Sequence, residues 1–420
     1  MRKMKDSGVP WIGEIPEGWE VLRYKYACRI LNGFPFKSEL FGSEGVPIIR
    51  IRDITSGTIE TYYSGDYDRT YIVTRGDILI GMDGDFNIRI WDNEDAILNQ
   101  RCCTIIEKNT FRRKYLYYCL PFNLEIINAL AYSTTVKHLS NGDIENSFLP
   151  SITPTAQHRI ADHLDTQCAR IDATIANIRS LIAKLKEYRQ SVITEAVTKG
   201  LDPDVPMKDS GVSWIGKVPE GWQVCPLKWR VHFVKTGGTP AGAQDIFYAD
   251  DGFPWFTPSD FGDSLRISES AKKLSDLGIK EVKIFPKNCV LMIGIGATMG
   301  KVALSSCDCS ANQQINSIVC DDKLFPLFLT LFLKTITDYL FKCGKFTTLP
   351  ILNQEETKSI IVPVPSFAEQ QRIADYLDTQ CAKIDTALAR QEELLTKLEA
   401  YKKSLIYECV TGKREVPASA

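Results

Sequence analysis

A glycine-rich stretch at residues 294–302, GIGATMGKV, comes closest in this sequence to a nucleotide-binding motif. A phosphate-binding loop needs four residues between its first glycine and a Gly-Lys-Ser/Thr triplet, whose backbone N–H groups surround the phosphates. Only three residues separate Gly296 from Gly300, and Val302 stands where a magnesium-binding hydroxyl is required. The KVALSS that follows favours a strand, whereas a dinucleotide-binding turn leads into a helix. We therefore predict a connection between strands that carries Lys301, and no nucleotide site.

The residues needed for a methyltransferase site or a zinc site are also missing from the sequence. Methyl transfer to a base nitrogen would need an Asn/Asp-Pro-Pro-aromatic tetrad, and the stretch 120–122, Leu-Pro-Phe, has neither the polar residue nor the second proline. The cysteines at 102–103 and 307–309 are too close together for zinc, and none of the four histidines completes a finger. The sequence predicts no catalytic and no metal-binding residue, and we interpret the cysteines as reduced thiols in buried or incidental positions.

The composition is that of a folded protein with two or three domains. The chain has 420 residues, of which 44% are hydrophobic and 24% charged. No apolar run approaches the ~20 residues of a membrane-spanning helix, so we expect a cytoplasmic protein with no membrane partner. The net charge of −2 argues mildly against a chain that holds DNA alone, because a polyanion needs a basic surface.

Two repeats organise the chain. MKDSGVPWIGEIPEGWEV at 4–21 returns as MKDSGVSWIGKVPEGWQV at 207–224, with 14 of 18 positions identical. QHRIADHLDTQCARID at 157–172 returns as QQRIADYLDTQCAKID at 370–385, with 13 of 16 positions identical and an offset of 213. The order of leader, variable block and helix therefore occurs twice.

The second repeat begins two long helices. Apolar residues recur there at alternating spacings of three and four, which is typical of a coiled-coil seam. The predicted seam residues are Leu164, Cys168, Ile171, Ile175, Ile178, Ile182 and Leu185 in one copy and Leu377, Cys381, Ile384, Leu388, Leu395 and Leu398 in the other. Each helix would be a rod of roughly 60 Å that needs a partner, and the other copy is the obvious one.

The variable blocks favour compact mixed α/β domains. IIRIRDI (48–54), GDILIG (76–81) and CVLMIG (289–294) are short apolar or β-branched runs that predict strands. The blocks also match each other at separate points: Gly81 with Gly294, and Asn-Gln at 99–100 with Asn-Gln at 312–313, both at an offset of 213. Pro47 and Asp53 match Pro254 and Asp260 at an offset of 207. We predict two versions of one fold with different surfaces.

Four tryptophans lie in the repeated leader: Trp11, Trp19, Trp214 and Trp222. If exposed, they would be partner hot spots. We interpret them as anchors against the domain flanks, since burial of tryptophan dominates the packing of such short segments.

This double arrangement closely resembles the specificity subunit of type I restriction-modification systems, over essentially the whole chain. The resemblance is carried by the tryptophan-rich leader, the QxRIADxLD helix starts and SANQQIN at 310–316. It implies that each variable block is a target recognition domain for one half of a gapped site on double-stranded DNA. It also implies that the helices pair antiparallel, set the spacing and dock two methyltransferase subunits, through which restriction/translocase subunits join. Such a subunit is no enzyme and binds no cofactor, so S-adenosylmethionine, ATP and magnesium would belong to the partners.

The expected fold class is α+β, with two homologous mixed α/β target recognition domains joined by two long antiparallel coiled-coil helices in a pseudo-twofold repeat. The expected divisions are a first recognition domain at 1–152 (leader 4–21), a central helix at 153–200, a second recognition domain at 201–365 (leader 207–224), a distal helix at 366–413 and a tail at 414–420.

Polar and basic residues of the variable blocks are the candidates for DNA contact. Arg50 and Arg52 would project from one face of a strand, and their counterparts Thr257 and Ser259 would read different bases. The other candidates are Lys37, Arg89, Lys137 and His138 in the first block and Lys235, Thr239, Lys301, Lys345 and Thr347 in the second. Phosphate contact is the default role for the lysines, and a solvated strand face is the alternative for the arginines.

Two other functions stay open at this point. A coiled-coil scaffold would keep the helices without base recognition. A self-contained DNA methyltransferase would need the tetrad that the sequence lacks.

Overall fold

The computed structural model describes residues 2–108, 110–130, 137–241, 245–262, 264–343, 345–346 and 350–417. The chain forms two compact units, unit 1 with Met1–Ile178 and Glu393–Ala420, and unit 2 with Arg179–Glu392. Within the described residues, no helix combines the length and apolar character needed to cross a membrane.

Unit 1 contains two main sheets and two short strand pairs. Its strands are β1 (Met4–Asp6), β2 (Glu14–Pro16), β3 (Glu20–Arg23), β4 (Cys28–Asn32), β5 (Phe41–Gly42), β6 (Val46–Ile49), β7 (Tyr62–Tyr63), β8 (Ile72–Val73), β9 (Ile78–Gly81), β10 (Ile88–Ile90), β11 (Ala96–Leu98), β12 (Cys102–Glu107) and β13 (Phe148–Ser151). The sheets have the orders β10-β9-β12-β4 and β5-β7-β6-β11-β8. The leader forms the hairpin β1-β2, and β3 pairs with β13.

One helix covers the first sheet of unit 1. The helices are α1 (Tyr24–Ala27), α2 (Ile51–Ser56), α3 (Arg113–Leu130), α4 (Asn141–Asn146) and α5 (Pro154–Lys199). Leu116 and Leu120 of α3 share a buried core with Ile78 and Ile80 of β9. The α3 sequence buries one apolar side in this way, as an amphipathic helix on a sheet must.

Unit 2 repeats this organisation. Its strands are β14 (Met207–Asp209), β15 (Lys217–Pro219), β16 (Gln223–Pro226), β17 (Val231–Thr236), β18 (Tyr248–Ala249), β19 (Phe253–Phe256), β20 (Arg266–Ile267), β21 (Lys273–Leu274), β22 (Val290–Ile293), β23 (Val302–Ser305), β24 (Ser310–Ala311), β25 (Ile315–Cys320), β26 (Lys345–Phe346), β27 (Pro350–Ile351) and β28 (Ile361–Val364). Its helices are α6 (Asp276–Lys280), α7 (Pro326–Thr335), α8 (Thr337–Cys343), α9 (Gln354–Ser359) and α10 (Phe367–Val410). The main sheets have the orders β17-β25-β22-β23-β20 and β18-β21-β19-β24.

The two units share strand order and direction. In unit 1, β12 lies antiparallel between β4 and β9, and in unit 2, β25 lies antiparallel between β17 and β22. The parallel pair β6 and β11 corresponds to the parallel pair β19 and β24. The prediction of two versions of one mixed α/β fold is confirmed.

The prediction that IIRIRDI forms one strand is wrong. Strand β6 ends at Ile49, and Ile51 begins α2. The cause is local: the carboxylate of Asp53 accepts a hydrogen bond from the backbone N–H of Arg50 at 2.8 Å, which caps the helix. Arg50 and Arg52 therefore do not share a strand face. The strands predicted in GDILIG, CVLMIG and KVALSS are present as β9, β22 and β23.

The long helices contribute the same ion pair to each unit. In unit 1, Lys402 Nζ lies 2.6 Å from Asp172 Oδ1, and in unit 2, Arg189 Nε lies 2.8 Å from Asp385 Oδ1. These are matching positions, since both members of one pair are 213 residues from their counterparts in the other. In unit 2, Lys186 also approaches Glu392 at 3.9 Å, so the helix segments run antiparallel. Of the predicted seam residues, eight are buried: Leu164, Cys168, Ile171, Ile175, Ile178, Leu377, Cys381 and Ile384. The other five are half-buried: Ile182, Leu185, Leu388, Leu395 and Leu398.

A buried glutamine near the start of each long helix joins it to its domain. The Gln157 side chain donates to the carbonyl of Ile152 at 2.9 Å and accepts from the backbone N–H of Arg112 at 2.8 Å. Gln370 likewise donates to the carbonyl of Pro365 at 2.9 Å. It accepts from the backbone N–H of Phe325 at 2.7 Å. The repeated helix start thus fixes each domain to its helix.

The leader tryptophans pack against their own units, as the anchoring interpretation predicts. The Trp11 ring stacks on Phe122 with ring centroids 5.6 Å apart. Trp214 lies beside Tyr339 at 4.9 Å. Trp222 is buried and donates its indole N–H to Glu369 at 3.1 Å.

Candidate nucleic-acid interface

A tight turn at residues 99–102 positions the polar residues of unit 1. The backbone N–H of Cys102 donates to the carbonyl of Asn99 at 2.9 Å, which closes the turn. Asn99 in turn donates to the carbonyl of Ile49 at 3.1 Å, and Arg101 accepts from the N–H of Met82 at 2.9 Å. The turn is therefore fixed to the ends of β6 and β9.

Unit 2 builds the same turn at residues 312–315. The N–H of Ile315 donates to the carbonyl of Asn312 at 3.2 Å. Asn312 donates to the carbonyl of Phe256 at 2.9 Å, and Gln314 accepts from the N–H of Gly294 at 2.7 Å. All three hydrogen bonds have their counterparts in unit 1, so Arg101 and Gln314 leave the backbone at equivalent points.

A glycine loop lies against each turn. A Cβ added at Gly33 would collide with the carbonyl oxygen of Asn99, and one at Gly237 would collide with that of Ala311. Glycine is therefore required at both positions, because only a residue without Cβ allows this close backbone approach.

We call the loops that surround the turn of unit 1 rim 1 and those that surround the turn of unit 2 rim 2. Rim 1 consists of residues 33–37, 49–50, 82–87, 99–102 and 137–140. Rim 2 consists of residues 237–240, 256–259, 294–301, 312–315 and 350–352.

Rim 1 carries a charged cluster centred on Asp83. Its Oδ1 lies 2.8 Å from His138 Nδ1, and its Oδ2 lies 3.0 Å from Arg101 Nη1. The Asp83 side chain is only 18% exposed, whereas those of His138 and Arg101 are each 58% exposed. A largely buried carboxylate thus holds two exposed basic side chains at the surface.

Rim 2 is built from neutral groups at the corresponding place. Thr239 Oγ1 donates to Gln313 Oε1 at 2.5 Å. Asn312 Nδ2 donates to Gln314 Oε1 at 3.1 Å, and the Gln314 backbone N–H donates back to Asn312 Oδ1 at 3.0 Å. The bridge between Asp83 and His138 in unit 1 has its counterpart between Ile295 and Ile351.

Two matching carboxylates cap short helices beside the rims, Asp53 in α2 and Asp260 in the single helical turn Pro258–Asp260 of unit 2. Asp53 is almost fully buried, and this burial raises the pKa of its carboxyl group. In unit 2, Asp260 Oδ2 accepts the backbone N–H of Thr257 at 2.6 Å and its hydroxyl at 2.9 Å. Arg50 and Thr257 are therefore held in equivalent positions at the ends of β6 and β19.

The structure places four predicted residues of unit 1 in rim 1: Lys37, Arg50, Lys137 and His138. Lys37 is exposed, and the guanidinium of Arg50 lies 5.9 Å from the centre of the Phe41 ring. Lys137 Nζ donates to the backbone carbonyl and the side chain of Asn128 at 2.8 and 2.6 Å.

The other two predicted residues of unit 1 lie outside rim 1. Arg52 donates to Thr61 Oγ1 at 3.0 Å and lies 3.4 Å from a carboxylate oxygen of Glu60. Arg89 lies 3.6 Å from Asp92. Both guanidinium groups are thus paired within the protein.

In unit 2, Thr239, Thr257, Ser259 and Lys301 lie in rim 2. The hydroxyl oxygens of Thr257 and Ser259 are 2.8 Å apart, and Lys301 is exposed after the turn that leads into β23. Lys235 lies on β17 with its ammonium 4.5 Å from the centre of the Phe233 ring.

The last two predicted residues lie beside a gap in the description. The backbone of Lys345 pairs with that of Ile351 in the hairpin β26-β27. Thr347 lies outside the described residues.

Arg101, Asp83 and Gln314 were not among the predicted residues. The signal for two of them was available: the matching Asn-Gln pairs at 99–100 and 312–313 are followed by Arg101 and Gln314 at the same offset of 213. Asp83 could not be found this way, because it meets Arg101 only through the contact between β9 and the turn.

Among the described residues, no group of three or more His, Cys, Asp or Glu side chains could hold a metal ion. The twelve described cysteines are free, and all but Cys307 and Cys320 are buried. Burial raises the pKa of Cys103 to about 12, so this thiol stays protonated near neutral pH.

Comparison with known families gives matches in both halves of the chain. The family model described as type I restriction modification DNA specificity domain matches residues 16–187 and 219–396.

Two curated relatives show how far the similarity extends. The type I restriction enzyme EcoBI specificity subunit of Escherichia coli is 32% identical over 424 residues, covering 95% of this chain and 88% of that protein. The MjaIX specificity subunit of Methanocaldococcus jannaschii is 31% identical over 193 residues, covering 44% of this chain and 43% of that protein.

Solved structures show the same fold at lower identity. A chain from a study of complex assembly and conformational transition of the type I R-M system has a TM-score of 0.73 at 18% identity. It covers 95% of this chain and 99% of that one. The HsdS subunit from Thermoanaerobacter tengcongensis has a TM-score of 0.50 at 16% identity, covering 95% and 98%.

Proposed function

This chain belongs to the family of type I restriction-modification specificity subunits, and from that we propose that each recognition domain reads one half of a gapped site on double-stranded DNA. The relatives are specificity subunits, and we propose that this chain likewise selects the site without catalysing a reaction. The double match over residues 16–187 and 219–396 agrees with two reading domains in one chain.

The observation that carries this proposal is the relation between the two rims. They share their backbone hydrogen bonds at the turns 99–102 and 312–315. Their side chains differ, since rim 1 presents charged groups around Asp83 and rim 2 presents hydroxyl and amide groups around Asn312. Identical frames with different hydrogen-bonding groups suit two domains that dock alike on DNA and read different bases.

We further propose that the long helices set the distance between the two half-sites. Each recognition domain is fixed to its helix by a buried glutamine, Gln157 or Gln370, so the domain moves with the helix. The matching ion pairs, Lys402 with Asp172 and Arg189 with Asp385, favour one antiparallel alignment. If the alignment of the two helices is fixed, the gap between the two half-sites is fixed as well.

The same helices supply a docking face for each of two methyltransferase subunits. In unit 2, Leu181 and Tyr188 are exposed, and in unit 1, Leu394 and Tyr401 are exposed at the matching positions. The members of each pair are seven residues apart, which places them on one side of the helix. Large exposed apolar side chains repeated in both units suit a partner that binds twice.

The reaction chemistry belongs to the partners in this proposal. The methyltransferase subunits would bind S-adenosylmethionine, and restriction/translocase subunits that join through them would bring ATP and magnesium. The assembly would act in the cytoplasm. The net charge of −2 agrees with this, because phosphate neutralisation can be shared with other subunits.

A methylation map tests the reading function. The chain is co-expressed with its methyltransferase in a methylation-free host, and modified bases are sequenced across the genome. We expect a gapped, two-part motif that disappears when this chain is omitted. Exchange of residues 30–150 for another variable block should change one half of the motif and leave the other. A motif that ignores this exchange would instead support a scaffold role.

Stoichiometry tests the docking faces. We expect Leu181→Lys with Tyr188→Lys to leave one bound methyltransferase subunit where the unaltered chain binds two, as measured by native mass spectrometry. The matched control is Leu277→Lys, which alters an exposed leucine of α6 in the same unit. Two bound subunits in the helix variant would exclude this face.

A further inference from the structure

We propose that Arg101 and Gln314 are base-reading residues at one shared position of the two recognition domains, Arg101 for guanine and Gln314 for adenine. The inference deepens the proposed function and rests on it, since it presumes that the rims face DNA.

The shared position is set by the backbone. The turns that carry the two residues have the same closing hydrogen bond, from Cys102 to Asn99 and from Ile315 to Asn312. Each turn is also bonded to the strand that precedes the short capped helix, at Ile49 or Phe256. Because Arg101 and Gln314 extend from equivalent backbone positions, they would reach the same base position of their half-sites if both domains bind DNA in the same way.

Arg101 is held in a geometry that suits guanine. Its Nη1 lies 3.0 Å from Asp83 Oδ2, and the opposite oxygen of that carboxylate is engaged by His138. The ion pair holds the guanidinium beside Asp83, and within the described residues no hydrogen bond occupies its Nε or Nη2. A planar fork with two donors matches the O6 and N7 acceptors of guanine.

Asp83 is a positioning residue in this arrangement. Its side chain is 18% exposed, so it exerts its attraction in a less polar environment than a fully solvated carboxylate would. Its role is to limit the rotamers of Arg101 before DNA arrives, which reduces the entropy lost on binding.

Gln314 is oriented by Asn312 in a similar way. The Asn312 amide is buried, receives the Gln314 backbone N–H at 3.0 Å and donates to Gln314 Oε1 at 3.1 Å. The second lone pair of Oε1 and the Nε2 donors stay available. An amide that accepts and donates side by side matches the N6 and N7 of adenine.

The difference between the rims favours a different base in each half-site. The strand contact that brings Asp83 to His138 is formed in unit 2 by Ile295 and Ile351, so among the described residues neither member of that contact is a carboxylate. At the shared position, rim 1 carries an arginine paired with a carboxylate, and rim 2 carries a pair of amide side chains. Rim 1 and rim 2 therefore differ at this position both in charge and in their hydrogen-bonding groups.

The test is a set of methylation maps of the full complex with single-residue variants. In Arg101→Gln, we expect the preference for guanine at one position of one half-site to fall on the order of 10- to 100-fold, with adenine favoured there. The other half-site stays unchanged. In Gln314→Arg, we expect the reverse change, from adenine to guanine, in the other half-site. Asp83→Asn should relax the same position as Arg101→Gln, and Asp83→Glu should retain more of the guanine preference.

A phosphate contact would give a different result. Arg101→Lys would then keep the motif and the level of modification, while Arg101→Gln would reduce modification of every site equally, and this outcome overturns the inference. An unchanged motif in both Arg101→Gln and Gln314→Arg also overturns it, as does a change by both variants in the same half-site. If Arg101→Gln abolishes all modification, the methylation map of the Gln314→Arg variant tests the inference instead.

The proposed function fails separately from this inference. If the unaltered complex gives no gapped motif, the reading role itself is excluded. If it gives such a motif and the variants above leave it intact, only the assignment of Arg101 and Gln314 is wrong.

Discussion

Two arginines two positions apart, Arg50 and Arg52, have different environments. Arg50 precedes α2 beside the turn of rim 1, with its guanidinium near the Phe41 ring. Arg52 donates to Thr61 and pairs with Glu60. We expect Arg50→Ala to weaken DNA binding by the assembled complex for all sequences alike and to lower the salt slope by about 1, as loss of a phosphate contact does.

Arg52→Ala is the matched control for this experiment. Because its guanidinium is already paired within the protein, neither affinity nor salt slope should change. Fluorescence anisotropy with labelled duplex at several salt concentrations measures both. Equal losses in the two variants would show that the environment of Arg52 does not keep it from DNA.

A second residue-scale prediction concerns the buried Gln157. Gln157→Ala removes the partner of the Arg112 N–H and of the Ile152 carbonyl. An unsatisfied buried polar group costs ~1–3 kcal/mol, so we expect the free energy of unfolding of unit 1 to fall by about 2 kcal/mol. Denaturant melts of the chain, followed by hydrogen exchange in the two units, measure this loss.

Gln190→Ala is the comparison, since Gln190 is an exposed glutamine of the same helix. It should change stability by less than about 0.5 kcal/mol. Equal effects of the two substitutions would mean that the burial of Gln157 has no energetic consequence.

At the residue scale, the sequence identifies candidate residues but does not show which side chains surround them. Alternation placed Arg50 and Arg52 on one strand face, yet Asp53 stops the strand by capping α2. A carboxylate four residues after a strand end is a local signal and was available. The ion pair from Asp83 to Arg101 was not, because it depends on how β9 lies against a turn eighteen residues later.

At the scale of elements, the two long helices were predictable. Their seam repeats at spacings of three and four, and α5 begins with Pro154, a residue favoured in the first turn. The ion pairs between the helices were not predictable from one sequence, since which charges meet depends on the alignment of two segments far apart in the chain.

The ion pair from Asp172 to Lys402 is partly exposed, so its contribution should be small. We expect Asp172→Lys to lower the free energy of unfolding by roughly 0.2–1 kcal/mol, because it replaces an attraction by a repulsion. Adding Lys402→Asp should restore most of the loss. Denaturant melts of the two single variants and the double variant form a cycle that isolates the interaction. Additive losses would mean that the two side chains do not interact in solution.

The whole molecule repeats one domain followed by one long helix, and this was readable from the two sequence offsets alone. We also predict that the length of the two helices sets the gap between the half-sites. Inserting one heptad at matching points of α5 and α10 lengthens each by about 10 Å, the rise of about three base pairs. The seam keeps its phase, so we expect the unspecified gap of the motif to widen by up to about three base pairs.

An insertion in only one helix is the control for this change. It shifts one seam against the other, and we expect it to abolish modification. A methylation map that shows the original gap after the double insertion would mean that the helices do not set the spacing.

Unit 1 is assembled from two separate stretches of the chain, and this affects when it can fold during synthesis. Unit 2 is one continuous stretch, Arg179–Glu392, whereas unit 1 needs Glu393–Ala420 as well. Leu405, Cys409 and Val410 lie in the core of unit 1, and Tyr407 and Lys413 bond to the carbonyl of Ile12. During translation, the recognition domain that leaves the ribosome first must therefore wait for its missing core until the other has been synthesised. A nonsense mutation shortly after codon 392 would spare the second domain and leave the first, upstream of the stop, unable to mature.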